Sequence, residues 1–308
     1  NAVAVMTGGA GIDTFSIAGH DTISDLGNGG ADIVNILAGG SVTGKLAALW
    51  TASSTTSNAG SGTINTAKVV SGGGADEVAI DIGRLSPSTG TRLDLSGTDL
   101  LALKNGFSGI YIGLQDVVDG PVFIGSGDFL DPLYVRGSSI TVTGTVAADG
   151  VMDLLAQTGD LKLESGSRLT VTSGDLKLTS ASGDIEVVDG QLAASQAVLF
   201  TAERNIKLTS ATVTASDRVV MAAETGAITH GAGVVTTKDL QAEAATGIEL
   251  RTSVDTITAA VTAIGDLSIR ESNSVTLNSL TTANGAVAVI AGGTITAQQV
   301  NTSASSDG

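Results

Sequence analysis

The chain lacks cysteine and has little proline and few aromatic side chains. Its 308 residues include no cysteine, three prolines, one tryptophan, two tyrosines and five phenylalanines. The absence of cysteine excludes disulfide bonds and thiolate metal sites. It is compatible with an extracellular setting, where free thiols would be oxidised.

Positive charge is also scarce. Lysine and arginine total 15 against 31 acidic residues, which gives a formal net charge of -16. Nucleic-acid binding needs a basic surface, and so does docking on anionic lipid, so we expect neither partner. No run of 18 or more apolar residues occurs, and we therefore expect no membrane insertion. The first residues, NAVAVMTGG, lack a charged leader and an initiator methionine, which suggests a processed chain or a segment of a longer one.

The chain is rich in small branched residues and in glycine. Hydrophobic residues make up 42% of the chain and glycine accounts for 41 positions. Valine, isoleucine, leucine and alanine alternate with serine and threonine, a composition typical of short stacked strands.

A repeat of about 20 residues runs through the second half of the chain. The first apolar residues of successive units are Ile185, Ile206, Ile228, Ile248, Leu267 and Val287, separated by 21, 22, 20, 19 and 20 residues. In the unit NIKLTSATVTASDRVVMAAETG, alternation places Ile206 and Leu208 on the side opposite to Lys207. Three such short strands, IKL, TVT and VVM, fill each unit. The pattern predicts an all-β fold, a right-handed parallel β-solenoid with about 19–22 residues per coil.

The first part of the chain is less regular. All three prolines and seven of the eight aromatic residues fall within residues 1–136. Proline removes a donor from the strand ladder, so the proline-free remainder suits uninterrupted coils. We therefore predict an N-terminal β-rich region over 1–136, with irregular insertions, and a regular β-solenoid over 137–308. The alternative is that the coil continues through this boundary.

Near the N-terminus, GGAGIDTFS fits the frame G-G-x-G-x-D-x-U-x, in which U is a large apolar residue. SIAGHDTIS and GNGGADIVN follow as weaker copies, and SGGGADEVA at 71–79 is an isolated one. These segments resemble the repeats-in-toxin nonapeptides of secreted bacterial proteins. The resemblance covers residues 8–35 and implies a parallel β-roll that binds Ca²⁺ in its turns, with alternate nonapeptides stacked about 18 residues apart.

Glycine permits positive φ and close backbone approach, and aspartate supplies the hard oxygen that calcium prefers. Asp13 and Asp32, 19 residues apart, fit the stacking. The alternative is a set of glycine–aspartate turns that face solvent. The predicted metal-site residues are Gly9, Gly11, Asp13, Asp21, Asp25, Gly29 and Asp32.

No catalytic motif stands out. GGSVTGKL at 39–46 has the spacing of a phosphate loop, but Leu46 replaces the hydroxyl residue that would hold magnesium. His20 and His230 lie far apart, and no G-x-S-x-G or H-E-x-x-H segment is present. Aspartates such as Asp160 and Asp184 follow glycine at predicted corners, where we expect them to bond to the turn backbone. We therefore expect no enzyme.

The coils from 159 to 308 resemble those of filamentous-haemagglutinin-like adhesins and other large surface proteins of bacteria. The resemblance implies an extracellular or cell-surface structural rod. The last unit, VAVIAGGTITAQQVNTSASSDG, has the pattern of an interior coil without a polar cap, so we expect open coil ends that stack on other copies or on adjoining solenoid segments. Two alternatives on the same fold are a polysaccharide-acting enzyme and a module that binds surface glycans. Trp50, Tyr111 and Tyr134 are the candidate sugar platforms, although the role that we favour for them is packing in the irregular region.

Overall fold

The computed structural model of the chain describes most of its second half continuously and its first half in pieces. The described residues are 4–30, 32–37, 41–47, 57–58, 64–66, 79–82, 92–95, 100, 103, 105–113 and 120–302. Trp50 and residues 71–78 of the isolated glycine-rich copy lie outside them. By its contacts the chain forms two compact units, Asn1–Asp76 and Glu77–Gly308. The boundary expected between residues 136 and 137 stays a prediction.

The fold is all-β, as predicted. Leu100 is the only described residue in a helix, and no helix in the described part is long and apolar enough to span a bilayer. The strands are β1 (Val5–Met6), β2 (Thr14–Ile17), β3 (His20–Leu26), β4 (Ile33–Ile36), β5 (Ser41–Leu46), β6 (Ser57–Asn58), β7 (Ile64–Thr66), β8 (Ala79–Ile82), β9 (Arg92–Leu95), β10 (Ile110–Ile112), β11 (Val122–Ile124), β12 (Gly127–Phe129), β13 (Leu133–Gly137), β14 (Ile140–Val142), β15 (Thr145–Ala148), β16 (Met152–Ala156), β17 (Leu161–Leu163), β18 (Arg168–Val171), β19 (Leu176–Ser180), β20 (Ile185–Val188), β21 (Gln191–Ala194), β22 (Ala197–Ala202), β23 (Ile206–Thr209), β24 (Thr212–Ala215), β25 (Arg218–Ala223), β26 (Ile228–His230), β27 (Val234–Ala244), β28 (Ile248–Ile264), β29 (Leu267–Glu271), β30 (Val275–Asn284), β31 (Val287–Ala291), β32 (Ile295–Ala297) and β33 (Val300–Asn301).

The first unit winds its strands alternately into two parallel sheets. One sheet has the order β1-β3-β5-β7 and the other β2-β4-β6. In the second sheet Thr14 lies opposite Ile33, a step of 19 residues. Phe15, Ile17 and Val34 belong to the small core of this unit, because period-two alternation turns every second residue inward.

The second unit has three strands per coil over most of its length. Within the segment 205–226, the predicted strands are found at β23, β24 and β25, and they pair in parallel with β20, β21 and β22 of the preceding coil. The chain forms a parallel β-solenoid of about 11 turns, with about 21 residues per coil, which confirms the predicted class and period. Its handedness stays a prediction.

Aliphatic residues from successive coils stack into columns inside the second unit. Ile185, Ile206, Ile228, Ile248 and Leu267 are neighbours in register. All five are buried, and the next residue along each of their strands faces outward. Burial of each such side chain stabilises the fold by about 1.5–3 kcal/mol relative to leaving it exposed. The columns merge into one hydrophobic core that reaches from Leu100 to Leu280.

Candidate functional site

The glycine-rich turns of the first unit have the backbone that their motif predicts. Gly9, Gly11 and Gly29 have φ values of 93°, 129° and 81°. These angles lie in the left-handed region, which side chains with a Cβ rarely adopt. A Cβ on Gly8 would stand 2.4 Å from Oδ2 of Asp13, so the carboxylate itself occupies the space that a side chain would need. The frame therefore encodes a turn that only glycine fits.

The structure brings Asp13 and Asp32 together, as their spacing predicts. Asp32 is buried, with 2% of its surface exposed. Its Oδ1 accepts the backbone N–H of Asp13 at 3.0 Å, and its Oδ2 accepts the N–H of Gly27 at 2.7 Å. The carboxylate thereby joins two neighbouring turns.

Asp25 and Asp21 act in the same way on the coil before them. Oδ1 of Asp25 accepts the N–H of Gly8 at 3.0 Å, and Oδ2 accepts that of Gly9 at 2.8 Å. Oδ1 of Asp21 accepts the N–H of Ala4 at 3.0 Å. These hydrogen bonds satisfy amides that the strand ladder leaves open at the turns.

A calcium ion would need six to eight oxygen ligands. Oδ2 of Asp13 is buried and has no hydrogen-bond partner among the described residues, which makes it the oxygen at this turn that is available to a metal ion. Both oxygens of Asp25 and both of Asp32 already accept backbone N–H groups. The described residues contain no group of three or more His, Asp or Glu side chains placed to hold a metal. Calcium binding therefore stays a prediction, and Oδ2 of Asp13 is the carboxylate oxygen that supports it.

Corner aspartates of the second unit also bond between coils. Oδ1 of Asp160 accepts the N–H of Asp184 at 2.8 Å, and Oδ1 of Asp184 accepts that of Asn205 at 3.0 Å. Oδ1 of Asp266 accepts the N–H of Ala286 at 2.8 Å. The sequence led us to expect bonds within each aspartate's own turn. The carboxylates instead reach the following coil, which lies only one strand spacing away.

Acidic and basic side chains gather around Asp184. Lys207 Nζ lies 2.5 Å from Oδ2 of Asp184 and 3.0 Å from Oε1 of Glu186. Arg204 lies 2.9 Å from Asp160 and 3.5 Å from Asp184. Burial raises the pKa of Asp184, but Lys207 and Asn205 outweigh this effect and hold the pKa below its ordinary value. A general acid for glycoside cleavage needs a raised pKa, so this cluster is built for ion pairing rather than proton donation.

The two described tyrosine candidates form a stack on the outer surface. Tyr111 and Tyr134 are in register on β10 and β13, with ring centroids 4.6 Å apart and ring planes 7° apart. Tyr111 is 69% exposed. Sequence reasoning favoured a packing role, and the rings do pack, but on each other rather than in the core.

The two histidines have different surroundings. His20 begins β3 in the first unit, with its side chain exposed. His230 is buried in the second unit, where its Nε2 lies 3.0 Å from the carbonyl oxygen of Ala211. Its Nδ1 accepts the N–H of Arg251 at 3.4 Å. Burial lowers the pKa of His230, since the charged ring would lose its hydration.

Comparison of the chain with protein-family models, with curated proteins and with solved structures gives no match. The resemblances to the repeats-in-toxin and filamentous-haemagglutinin families stay predictions from the sequence. The β-solenoid itself is shown by the structure.

Proposed function

We propose that the chain is a structural, extracellular β-solenoid of a bacterial surface, adhesin or fibre-forming protein. The observation that carries the proposal is the continuous hydrophobic core from Leu100 to Leu280, built from in-register columns. The side chains of these columns hold successive coils together by apolar packing. The polar side chains around them form hydrogen bonds and ion pairs at the corners. The lack of cysteine and the acidic surface suit an extracellular location.

Regular stacking gives the second unit stiffness along its axis. Each coil contacts mainly its neighbours, which is the property of solenoid proteins in general. Hydrogen bonds join adjacent coils at about 4.8 Å spacing, and the columns fill the space inside them. A structure of this kind holds attached regions at a fixed distance, and it needs no catalytic residue to do so.

The last described coil offers a surface for association. Val289 lies in register with Ile269, which is 1% exposed, but Val289 itself is only half-buried. Val287 and Ala291 on the same strand are half-buried too. A further coil placed on β31 would bury these side chains and pair the strand edge. The proposed partner is another copy of the chain or an adjoining solenoid segment.

A pair of lysine substitutions on β31 tests this association. Val289→Lys puts a charge in the inner column, whereas Ala288→Lys puts the same charge on the exposed side of the strand. We expect the first variant to shift sedimentation toward monomer at concentrations where wild type and Ala288→Lys associate. Association that is equal in all three proteins, or absent from wild type, would contradict end-to-end stacking.

Calcium is the proposed cofactor of the first unit, supported by the unpartnered Oδ2 of Asp13 and by the positive-φ glycines around it. Calcium would stabilise this unit by neutralising carboxylates at the turns. Removal of calcium with EDTA should then lower the unfolding temperature reported by Trp50, the single tryptophan of the chain. An unchanged temperature would remove calcium from the proposal.

One observation favours the sugar-binding alternative. The exposed ring of Tyr111, supported from behind by Tyr134, presents a flat apolar surface of the kind on which sugar rings pack. Tyr111→Ala should abolish retention on a glycan array, while Phe123→Ala, at an outward position on β11, should leave it intact. Equal retention of both variants would exclude the tyrosine stack as the platform.

A further inference from the structure

One corner of the second unit shortens abruptly between two neighbouring coils. The register pairs Thr229 with Glu249 and Val235 with Thr252. Five residues (230–234) join these positions in the first coil, and only two (250–251) join them in the next. The following coil again has two, between Ser268 and Glu271. The loop that contains Gly233 has no counterpart in these later coils, and β28 passes the corner as one strand of 17 residues.

A cleft of about 350 Å³ lies at this step. Its lining comes from four successive coils and includes Val234, Arg251, Thr252, Arg270, Glu271 and Ile290. The volume is at the lower end of the range for ligand sites, which is roughly 300–1,000 Å³. The cleft is therefore large enough for one small organic molecule, and larger than a bare ion needs.

Two arginines without ionic partners line the cleft. Arg251 and Arg270 are in register on β28 and β29, which places their backbones about 4.8 Å apart. Both side chains are exposed, and within the described part of the chain neither guanidinium forms an ion pair or a hydrogen bond. Arg136, by contrast, holds Asp153 at 2.9 Å. Two adjacent like charges repel, and an anion bound between them would relieve that repulsion.

Two carboxylates lie near the arginines, and neither forms an ion pair with them. Glu271 is 5% exposed, and its Oε2 accepts the N–H of Val254 at 3.1 Å while its Oε1 accepts that of Asn273 at 3.0 Å. Glu249 lies two positions before Arg251 on the outer side of β28, and no ion pair joins it to either arginine. The positive charge of the cleft is thus left for a ligand.

We propose that the cleft binds the oxyanion of an acidic, sugar-sized molecule, a carboxylate or a sulfate, between Arg251 and Arg270. Guanidinium groups bind such oxyanions through two parallel N–H···O bonds, and two of them in register offer a double fork. Ile290, which is 62% exposed, and the half-buried Val234 provide apolar surface beside the charges, suited to the C–H face of a ring. This site requires neither calcium nor end-to-end stacking.

The test is a titration of the whole 308-residue chain, followed by amide NMR shifts. The probes are sodium glucuronate, glucose 6-sulfate, glucose and sodium sulfate. We expect glucuronate or glucose 6-sulfate to shift the amides of residues 233–234, 251–253 and 270–272, and glucose to shift none of them. Comparison of the two acidic sugars identifies the group that is bound.

Variants at exposed positions assign the effect to the arginines. Arg251→Ala with Arg270→Ala should weaken binding by at least about tenfold, and the Arg→Lys pair should weaken it less, since charge remains but the fork is lost. Arg168→Ala removes an exposed arginine that forms no ion pair with any described residue, and it should leave the affinity unchanged. An equal loss in Arg168→Ala, or no loss in the double alanine variant, would overturn the site. Sodium sulfate binding as tightly as the sugars would overturn the sugar-sized ligand and indicate an adventitious ion only.

Discussion

Replacement of Asp32 by alanine should destabilise the first unit strongly, even without calcium. The Asp32 carboxylate accepts the N–H groups of Asp13 and Gly27 while only 2% of the residue is exposed. Alanine removes both acceptors and leaves two amides at the turn without partners. Water cannot easily replace the lost acceptor at a buried position.

The expected loss follows from the two hydrogen bonds. A bond to a charged acceptor contributes about 1.5–3 kcal/mol, so Asp32→Ala should lower the free energy of unfolding by about 3–6 kcal/mol. Asp32→Asn keeps one carbonyl acceptor but turns an NH₂ group toward the other amide, so we expect about 3 kcal/mol or more. Asp21→Ala is the matched control, because its one hydrogen bond to Ala4 is exposed and should contribute less than about 1.5 kcal/mol.

The assay is urea unfolding in EDTA, followed by the fluorescence of Trp50. EDTA removes calcium, so the measurement reports the hydrogen bonds alone. If Asp32→Ala stayed within about 0.5 kcal/mol of wild type, the carboxylate would not join the turns and the reasoning would fail. Repetition with calcium separates the two roles. A bound ion at 100 times its Kd would add about 2.7 kcal/mol to wild type, and less to the variant.

Three further predictions concern the second unit. Phe200→Ala should lower the free energy of unfolding by about 3–5 kcal/mol, because Phe200 is 1% exposed within an inner column; urea unfolding measures the loss. His230→Leu should remove the part of the pH dependence of stability that lies just below about pH 6.5. The folded-state pKa of His230 is lowered, so unfolding takes up a proton there, and wild type should lose stability as the pH falls through that window and be fully stabilised above it. Gly265→Ala should cost about 1–3 kcal/mol by thermal unfolding, because its Cβ would stand 2.1 Å from the carbonyl oxygen of Thr246.

Each of these predictions has a matched control. Thr201→Ala alters the exposed residue after Phe200 and should change stability by less than about 0.5 kcal/mol. His20 is present in both proteins of the His230 comparison, so the difference between their pH profiles belongs to His230. Gly231→Ala meets no atom closer than 3.9 Å and should be tolerated. Equal effects in a variant and its control would contradict the corresponding prediction.

The coiled fold could be predicted from the sequence because a parallel, in-register solenoid repeats each inner position once per turn. Ile206 and Ile228 occupy one column, and their 22-residue step is visible in the sequence before any coordinates are known. The alternation of Ile206, Lys207 and Leu208 likewise determines which side faces inward, since strand side chains alternate. The proximity of Asp13 and Asp32 could be predicted from their spacing for the same reason.

The cleft and the buried histidine could not be predicted in this way. His230 occupies a column position between Leu208 and Leu250, where alternation alone would expect another aliphatic residue. Its burial depends on acceptors and donors from two other coils. Arg251 and Arg270 are in register because their two coils have corners of equal length, and the cleft beside them lies where the preceding corner is three residues longer. Strand periodicity does not encode corner lengths. A step in loop length between consecutive repeats is the signal that could have indicated the site.

The corner hydrogen bonds explain why acidic side chains are frequent without requiring a metal for each. Amides at a corner lie outside the strand ladder, and a short side chain with an acceptor oxygen can reach them. Asp160, Asp184 and Asn205 do this in succession, and Asn205 Oδ1 accepts the N–H of Ala227 at 3.0 Å just as the carboxylates accept theirs. A neutral amide performs the same task as an aspartate, so the geometry of the acceptor matters more than its charge. Where aspartates do follow each other, as at Asp160 and Asp184, Arg204 lies against both and reduces their repulsion.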